Sequence, residues 1–356
     1  MPASKLTASC IRNSFQNSGK RHLFLTGSKG SGKTTLLREL SDETFPGVST
    51  HVIREDGVFL RENGKKEEIQ IGVFSPGSGD TENRMRPLEE GFLRATEILE
   101  RCVESASDWV TIDEIGYLEE KMPSYQRALE KLMEKKHLLA AVRKQDLPFL
   151  QKLLSRDDVF AVDLDEPFGK IGCVIMASGF GRRFGGNKLL APFHGAPLME
   201  AVLNATNGIF SRHVVVTRYE EVETLCCEKG IEVLRHDLPY KSDTVRLGVE
   251  AMEGMDGCFF CPADQPLLRS DTVKALALCA VSDPDHIWRA ASGEKTGSPV
   301  FFPKRYFSKL KNLPEGQGGT ALIERFPEEV RFLSVSDPYE LSDVDTSEDL
   351  TALEKR

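Results

Sequence analysis

Short apolar runs recur along the chain, each followed by a stretch in which apolar residues return at steps of three and four. The runs are Leu23-Phe24-Leu25, Trp109–Ile112, Leu138–Val142, Val159–Val162, Cys173–Met176, His213–Val216 and Cys258–Cys261. Runs of this length are the signature of strands buried on both faces, and their alternation with helical periods predicts an α/β chain with largely parallel sheets. Between Leu88 and Ser107, the residues Phe92, Ala95, Leu99 and Cys102 share one helical face, so a helix packed against a core is expected there. Glu220 to Lys229 also has helical character.

The pattern restarts near residue 168. Asp163-Leu-Asp-Glu-Pro-Phe-Gly-Lys170 is short, polar and contains Pro and Gly, and a new strand with a Gly-rich loop follows it. We therefore expect an extension over residues 1–20, one domain over 21–168 and a second over 169–356. The length of 356 residues and the 40 % hydrophobic content allow two separate cores. A net charge of -9 with no basic stripe argues against a nucleic-acid partner. No apolar signal core opens the chain and no run approaches the ~20 residues of a membrane span, so the expectation is no membrane partner and a cytoplasmic protein. Eight cysteines in that setting are expected as reduced thiols. Cys258-Phe-Phe-Cys261 has metal-ligand spacing, but a strand would send its two sulfurs to opposite faces, and no zinc site is expected.

The first chemistry lies in Gly27-Ser-Lys-Gly30-Ser-Gly32-Lys33-Thr34-Thr35, a complete G-x-x-x-x-G-K-T loop between a strand-like and a helix-like segment. Glycines there let backbone N–H groups face a β-phosphate, Lys33 reaches the β/γ oxygens, Thr34 ligates Mg²⁺ and Thr35 offers a hydroxyl to the α-phosphate. Such a site also needs an acid at the end of a neighbouring strand. Trp109-Val-Thr-Ile-Asp113-Glu114 supplies it, with Asp113 for the Mg²⁺ shell and Glu114 for the attacking water. Arg143 and Arg54 fall where cations could meet a γ-phosphate. Continued as Ile-Gly116-Tyr-Leu118-Glu119, and taken with the loop, the segment resembles the small P-loop nucleoside triphosphatases of bacteria and archaea. Their signature is Asp-Glu-x-Gly-x-Met-Glu, and Leu118 stands here for the Met. Over residues 20 to 168 the resemblance implies a three-layer α/β/α P-loop fold and hydrolysis of nucleoside triphosphates, ATP and GTP among them.

A second loop follows the strand Ile171 to Met176: Ala177-Ser-Gly179-Phe-Gly181-Arg182-Arg183-Phe-Gly185-Gly186-Asn-Lys188. A dinucleotide-binding turn would share its glycines. Two cations suited to a triphosphate, Arg183 and Lys188, and the absence of an acid after His213–Val216 argue against that alternative. Acids do close the strand at Asp264 and the segment Ser342-Asp343-Val-Asp345. Transfer of a nucleotidyl group needs cations around an α-phosphate and Mg²⁺ held by two acids. Glu348 and Asp349 are not among those acids and are expected to favour a helix N-terminus instead.

These pieces, with Gly195-Ala-Pro197, Ser242-Asp-Thr244-Val-Arg246-Leu-Gly248, Asp264-Gln-Pro266, Gly297-Ser-Pro299 and the closing Asp-Val-Asp-Thr, resemble the MobA-like nucleotidyltransferases, most closely the molybdenum cofactor cytidylyltransferases. The resemblance implies a Rossmann-like α/β/α fold over the second half. It also implies that Ala177, Gly179 and Gly181 embrace the nucleotide, Arg183 and Lys188 meet its phosphates, and Thr244 lies near base and ribose. Asp264 and Asp345 would hold Mg²⁺, and Gly297-Ser298-Pro299 would face the acceptor. By that analogy a terminal phosphate of molybdopterin attacks the α-phosphate of CTP. Ser178 stands where the family has Ala or Gly, Gly316-Gln-Gly-Gly-Thr320 departs from Gly-Asp-x-Gly-Ala-Arg, and Ser347 replaces a Pro. His194 and His236 are expected as solvated loop residues.

The expectation is therefore a bifunctional nucleotide enzyme. Its competitors are transfer to another phosphorylated acceptor, guanylyl in place of cytidylyl transfer, and a P-loop half that serves as a nucleotide-gated module for a client molybdoenzyme.

Overall fold

The computed structural model describes residues 6–53, 56–74 and 85–356. Arg54 lies outside the described residues. The chain divides into two compact units, Gly19–Pro167 and a second built from Phe168–Arg356 together with residues 6–18.

Helix α1 (Ala8–Ser18) thus belongs to the second unit, although sequence sets it apart as an extension. Its buried Cys10, Ile11 and Ser14 pack on a later helix. Ser14 Oγ donates to Ala275 O at 3.2 Å, Cys279 Sγ lies 3.6 Å from Ser14 O, and Asn17 Oδ1 accepts from Ser334 N at 3.1 Å. Along the chain, the first unit is consequently inserted between two parts of the second.

In the first unit the elements run β1 (His22–Gly27), α2 (Lys33–Leu40), β2 (Gly47–Ile53), β3 (Gly57–Glu62), β4 (Glu68–Phe74), β5 (Met85–Pro87), α3 (Glu89–Val103), β6 (Trp109–Ile115), α4 (Tyr117–Glu120), α5 (Pro123–Lys135), β7 (His137–Arg143), α6 (Pro148–Leu154) and β8 (Val159–Asp163). They form one sheet in the order β5-β4-β3-β2-β6-β7-β1-β8. Helix α3 buries Phe92, Ala95, Ile98, Leu99 and Cys102, the face expected from its period. Phe24, Ile71, Phe92, Leu99, Leu129 and Leu138 are central to the core.

The second unit continues with β9 (Ile171–Ala177), β10 (Pro192–Phe193), β11 (Ala196–Pro197), α7 (Met199–Thr206), β12 (Arg212–Thr217), α8 (Glu220–Glu228), β13 (Glu232–Arg235), α9 (Lys241–Ala251), β14 (Gly257–Pro262), α10 (Ser270–Ser282), β15 (Ile287–Ser292), β16 (Lys295–Pro303), α11 (Phe307–Lys311), α12 (Thr320–Arg325), β17 (Val330–Ser334) and α13 (Ser347–Glu354). Its large sheet has the order β13-β12-β9-β14-β16-β15-β17. The order reverses between β9 and β14, and in open α/β sheets the crevice beyond such a reversal receives ligands.

Most pairings in both large sheets are parallel, as the sequence predicts, but each sheet also has an antiparallel part. From β2 to β5 the pairings are antiparallel, as are β14 with β16 and β16 with β15. β3 and β16 carry short apolar runs, Val58-Phe59-Leu60 and Val300-Phe301-Phe302, but β4 does not. Glu-Ile-Gln-Ile-Gly-Val-Phe of β4 alternates polar and apolar residues, with Ile69 and Ile71 buried, as befits a sheet with one wetter face.

Both cysteines of the C-x-x-C segment are buried on β14. Cys258 belongs to the core cluster beside Val174 and Val249, while Cys261 Sγ lies 3.6 Å from Cys173 Sγ. Burial raises the thiol pKa of Cys258 and Cys173. Among the described residues no cluster of three or more His, Cys, Asp or Glu side chains is arranged to hold a metal, and no helix is long and apolar enough to cross a membrane.

Candidate functional site

In the first unit, β1 ends in Gly27 and the loop to α2 turns through Gly30 and Gly32 with φ of 84° and 98°, a region L side chains rarely enter. Lys33, the first residue of α2, folds back over the loop, its Nζ donating to Gly27 O at 2.7 Å and Ser28 O at 2.8 Å. Burial, outweighing the nearby acids, lowers its pKa. Thr34 Oγ1 donates to Asp113 Oδ1 at 2.9 Å, while Thr35 lies exposed on the next position.

Asp113 sits near the end of β6, but β6 is not the neighbour of β1: β7 lies between them. The carboxylate therefore reaches Thr34 past an intervening strand, whose own end supplies Arg143. Asp113 is 8 % exposed, and burial raises its pKa. Directly after it the ladder slips. Asp113 pairs with Ala141 and Ile115 with Val142, leaving Glu114 bulged out with φ 96°. Positive φ on a glutamate is strained, and a bulge re-aims a side chain. Here it turns Glu114 to an ion pair with Arg143, whose guanidinium also lies 5.7 Å from the Tyr117 ring centre. A Cβ at Gly116 would stand 2.9 Å from Arg143 Cδ, so a larger residue there would make the Arg143 side chain shift. Glu119, the last residue of the signature, is fully buried and accepts from Gly116 N at 2.7 Å, and burial pushes its pKa up to about 7.

The second unit holds a cavity of about 650 Å³ at the carboxyl ends of β9 and β14. Gly179, Gly181, Arg183, Lys188, Thr244, Asp264, Asp345 and Ser298 all line it, and Ala177 is the last residue of β9. Gly181 has φ 58°, and a Cβ there would collide with Gly186 O, so the loop closes only with glycine. Lys188 Nζ lies 2.6 Å from Asp264 Oδ2, 3.1 Å from Asp345 Oδ1 and 2.5 Å from Val344 O. Burial works against its charge, yet the two acids outweigh it and raise its pKa. Arg183 Nη1 pairs with Asp345 Oδ2 at 2.9 Å. Asp264 Oδ1 is buried with no hydrogen-bond partner among the described residues. Asp343 also lines the cavity; burial, followed by the charge of Asp264, raises its pKa, and its Oδ1 accepts from Gln265 at 2.9 Å.

Sequence reasoning missed what holds the second loop. Three consecutive residues at the end of β12 donate to three consecutive carbonyls: Thr217 Oγ1 to Ala177 O at 3.0 Å, Arg218 Nε to Ser178 O at 2.7 Å, and Tyr219 OH to Gly179 O at 2.7 Å. The Arg218 guanidinium stacks 3.7 Å from the Phe180 ring centre. His236 is no free loop histidine either. Its Nε2 lies 2.9 Å from Ser178 Oγ and 3.3 Å from Thr244 Oγ1, and burial and Arg218 lower its pKa. Thr217-Arg218 was visible in sequence as the residues standing where an acid was sought, but their donors gave no signal of a target. His194, with φ 49°, lies away from the cavity lining.

The fold and the two loops define a P-loop triphosphatase unit and a nucleotidyltransferase unit in one chain. A family model described as NTPase matches residues 22–167, and one described as MobA-like NTP transferase domain matches residues 173–330. The chain is 31 % identical over 134 residues to the nucleoside-triphosphatase THEP1 of Saccharolobus solfataricus, covering 34 % of this chain and 74 % of that protein. It is 29 % identical over 150 residues to the nucleoside-triphosphatase THEP1 of Thermotoga sp. (strain RQ2), covering 40 % of this chain and 86 % of that protein. Similar solved structures include Rv0371c from Mycobacterium tuberculosis H37Rv, 21 % identical with a TM-score of 0.48, covering 52 % of this chain and 99 % of that one. A nucleotidyl transferase from Methanothermobacter is 23 % identical with a TM-score of 0.45, covering 52 % and 97 %. In its first unit the chain belongs to the THEP1 nucleoside-triphosphatase family, and in its second it carries a MobA-like NTP transferase domain. It is an enzyme with two nucleotide-directed domains.

Proposed function

We propose that the second unit transfers CMP from CTP to molybdopterin with release of pyrophosphate, and that the first hydrolyses nucleoside triphosphates such as ATP and GTP. The observation that carries the transfer reading is the grouping of Lys188, Arg183, Asp264 and Asp345 in one cavity with the glycine-rich loop. A phosphate oxygen of the acceptor attacks the α-phosphorus of CTP, a new P–O–P bond forms, and the bond to the β-phosphate breaks with its electron pair leaving on pyrophosphate. Lys188 and Arg183 are the catalytic cations, offsetting the charge that develops on the phosphates. The loop at Ala177, Gly179 and Gly181 holds the nucleotide, and Thr244 contacts base or ribose.

The divalent-metal chemistry common to both domain types fits the residues present. The unpartnered, buried Asp264 Oδ1 is an acceptor suited to a cation, and Asp264 with Asp345 would hold Mg²⁺ there. In the first unit Thr34 and Asp113 would hold it. Mg²⁺ is ordinarily bound through one or two protein oxygens plus substrate phosphates, which agrees with two donors at each site. When bound, Mg²⁺ neutralises phosphate charge and orients the leaving group. Lys33 lies against the β/γ-phosphates, Gly27, Gly30, Gly32 and Thr35 line the phosphate path, and Glu114, held by Arg143, orients the attacking water.

The test supplies Mg²⁺, molybdopterin and each nucleoside triphosphate in turn, and scores phosphate and pyrophosphate separately. Pyrophosphate that depends on the pterin and is greatest with CTP is expected. Preference for GTP would move the reading to guanylyl transfer, and phosphate alone would remove molybdopterin as the acceptor.

A further inference from the structure

The positive charges lining the nucleotide side of the cavity are nearly all committed. Lys188 and Arg183 pair with Asp264 and Asp345, and Arg218 is taken up by the carbonyls of Ser178 and Leu238. On the β15–β16 side the situation differs. Arg289 stands at a β-bulge, where the β15–β16 register shifts between Arg289 and Ala290, and bulges beside cavities re-aim side chains. It lines the cavity, and its Nε donates to Gly297 O at 3.3 Å. Among the described residues no carboxylate pairs with it, and burial alone lowers its pKa. A half-buried guanidinium without a counter-ion is unfavourable until an anion meets it.

Lys241 opens α9 and lines the same cavity. Its alkyl end lies over Gly318, where a Cβ would stand 2.8 Å from Cε and 3.3 Å from Nζ. It has no carboxylate partner among the described residues. The same cavity has apolar lining from Phe260, Val300 and Phe302, with the Phe260 and Phe302 rings edge to face at 6.0 Å.

We propose that Arg289 and Lys241 are the anion anchors of the acceptor subsite, which takes an organic phosphomonoester whose body presents a flat ring face to the apolar lining. The proposal rests on the transferase reading of this unit and adds to it two residues and a requirement on the acceptor. Arg289 supplies the planar fork that donates two bonds to a phosphate, and the exposed Lys241 supplies a point charge.

The experiment titrates phenyl phosphate into the full-length chain loaded with Mg²⁺ and CTP, in a Lys33→Ala background so that the first loop takes no part. Phenol and benzoate serve as comparison ligands. Phenyl phosphate is expected to bind more tightly than either. Arg289→Met is expected to weaken it by about tenfold or more and Lys241→Met by less, the scale of losing charged hydrogen bonds, with CTP affinity unchanged. Arg289→Lys should restore part of the loss. Unchanged phenyl phosphate binding in Arg289→Met, or none in the parent chain, with CTP still bound, would overturn the proposal and leave the transferase reading standing. Failure of the parent chain to bind any nucleotide would overturn both.

Discussion

In the first unit the glycine-rich loop is braced by an acceptor. Asp165 takes hydrogen bonds from Ser28 N at 2.8 Å and Ser28 Oγ at 2.9 Å, and the carbonyls of Gly27 and Ser28 are left to Lys33. In the second unit the loop is braced by donors, Thr217, Arg218 and Tyr219, which occupy the carbonyls of residues 177 to 179. Both arrangements engage the loop's own polar groups with the scaffold, and they differ in what remains. With its carbonyls occupied, the second loop has N–H groups to offer a ligand. The acids differ too. Asp113 is tied to a hydroxyl and its neighbour Glu114 is expelled by a bulge, whereas Asp264 and Asp345 are bridged by the ammonium of Lys188. The two acids of the first unit thus face separate partners, and the two of the second share one lysine.

The sharpest way to break this contrast is to remove its charges one unit at a time. Lys188→Ala or Asp264→Asn is expected to lower pyrophosphate release by on the order of 10²–10³, the scale of losing a group that stabilises transition-state charge, while phosphate release persists. Intact pyrophosphate release in both variants would remove these residues from the reaction. Next in size is Glu114→Gln, which keeps shape and loses the base and the Arg143 ion pair. Phosphate release should fall by on the order of 10²-fold with pyrophosphate release unchanged, as steady-state rates for the two products would show.

Much of this was legible in the chain, for a physical reason. Backbone-phosphate loops demand glycines at fixed offsets, and strand-end acids follow apolar runs, so Gly27 to Thr35, Asp113, Lys188 and Asp264 announce themselves. What stayed hidden depends on tertiary pairing. Helix α1 docks on α10 through residues whose local sequence points to no partner, strand β4 alternates polar and apolar residues and so lacks an apolar run, and the bulge at Glu114 arises from the register against β7. Arg289 looked like any arginine on a strand, because its significance lies in the carboxylate it lacks among the described residues.

A smaller effect separates the two units by pH. Glu119 is fully buried, and burial lifts its carboxyl from the usual value of 4.5 to about 7. A raised acid contributes stability that is present below about 4.5 and is lost as pH rises through about 7. The gap corresponds to about 3 kcal/mol. Glu119→Gln keeps an acceptor for Gly116 N and cannot ionise. Hydrogen exchange of β6 and β7 amides should therefore show the variant more protected than the parent at pH 8 and nearly equal at pH 5. Asp113, raised by burial as well, adds slope of the same sign in both proteins. Equal protection at both pH values would place the Glu119 titration elsewhere.

The smallest expected change tests the donor brace itself. Tyr219→Phe removes one hydroxyl, that which donates to Gly179 O, and leaves the ring in place. A neutral hydrogen bond contributes about 0.5–1.5 kcal/mol, so the apparent KM for the transferred nucleotide should rise several-fold. Phosphate release by the first unit should be untouched, because its loop is held by Asp165. A fall in kcat with KM unchanged would mean that the hydroxyl acts in the transition state and not by holding the loop, and the comparison between an acceptor-braced and a donor-braced loop would then need a different basis.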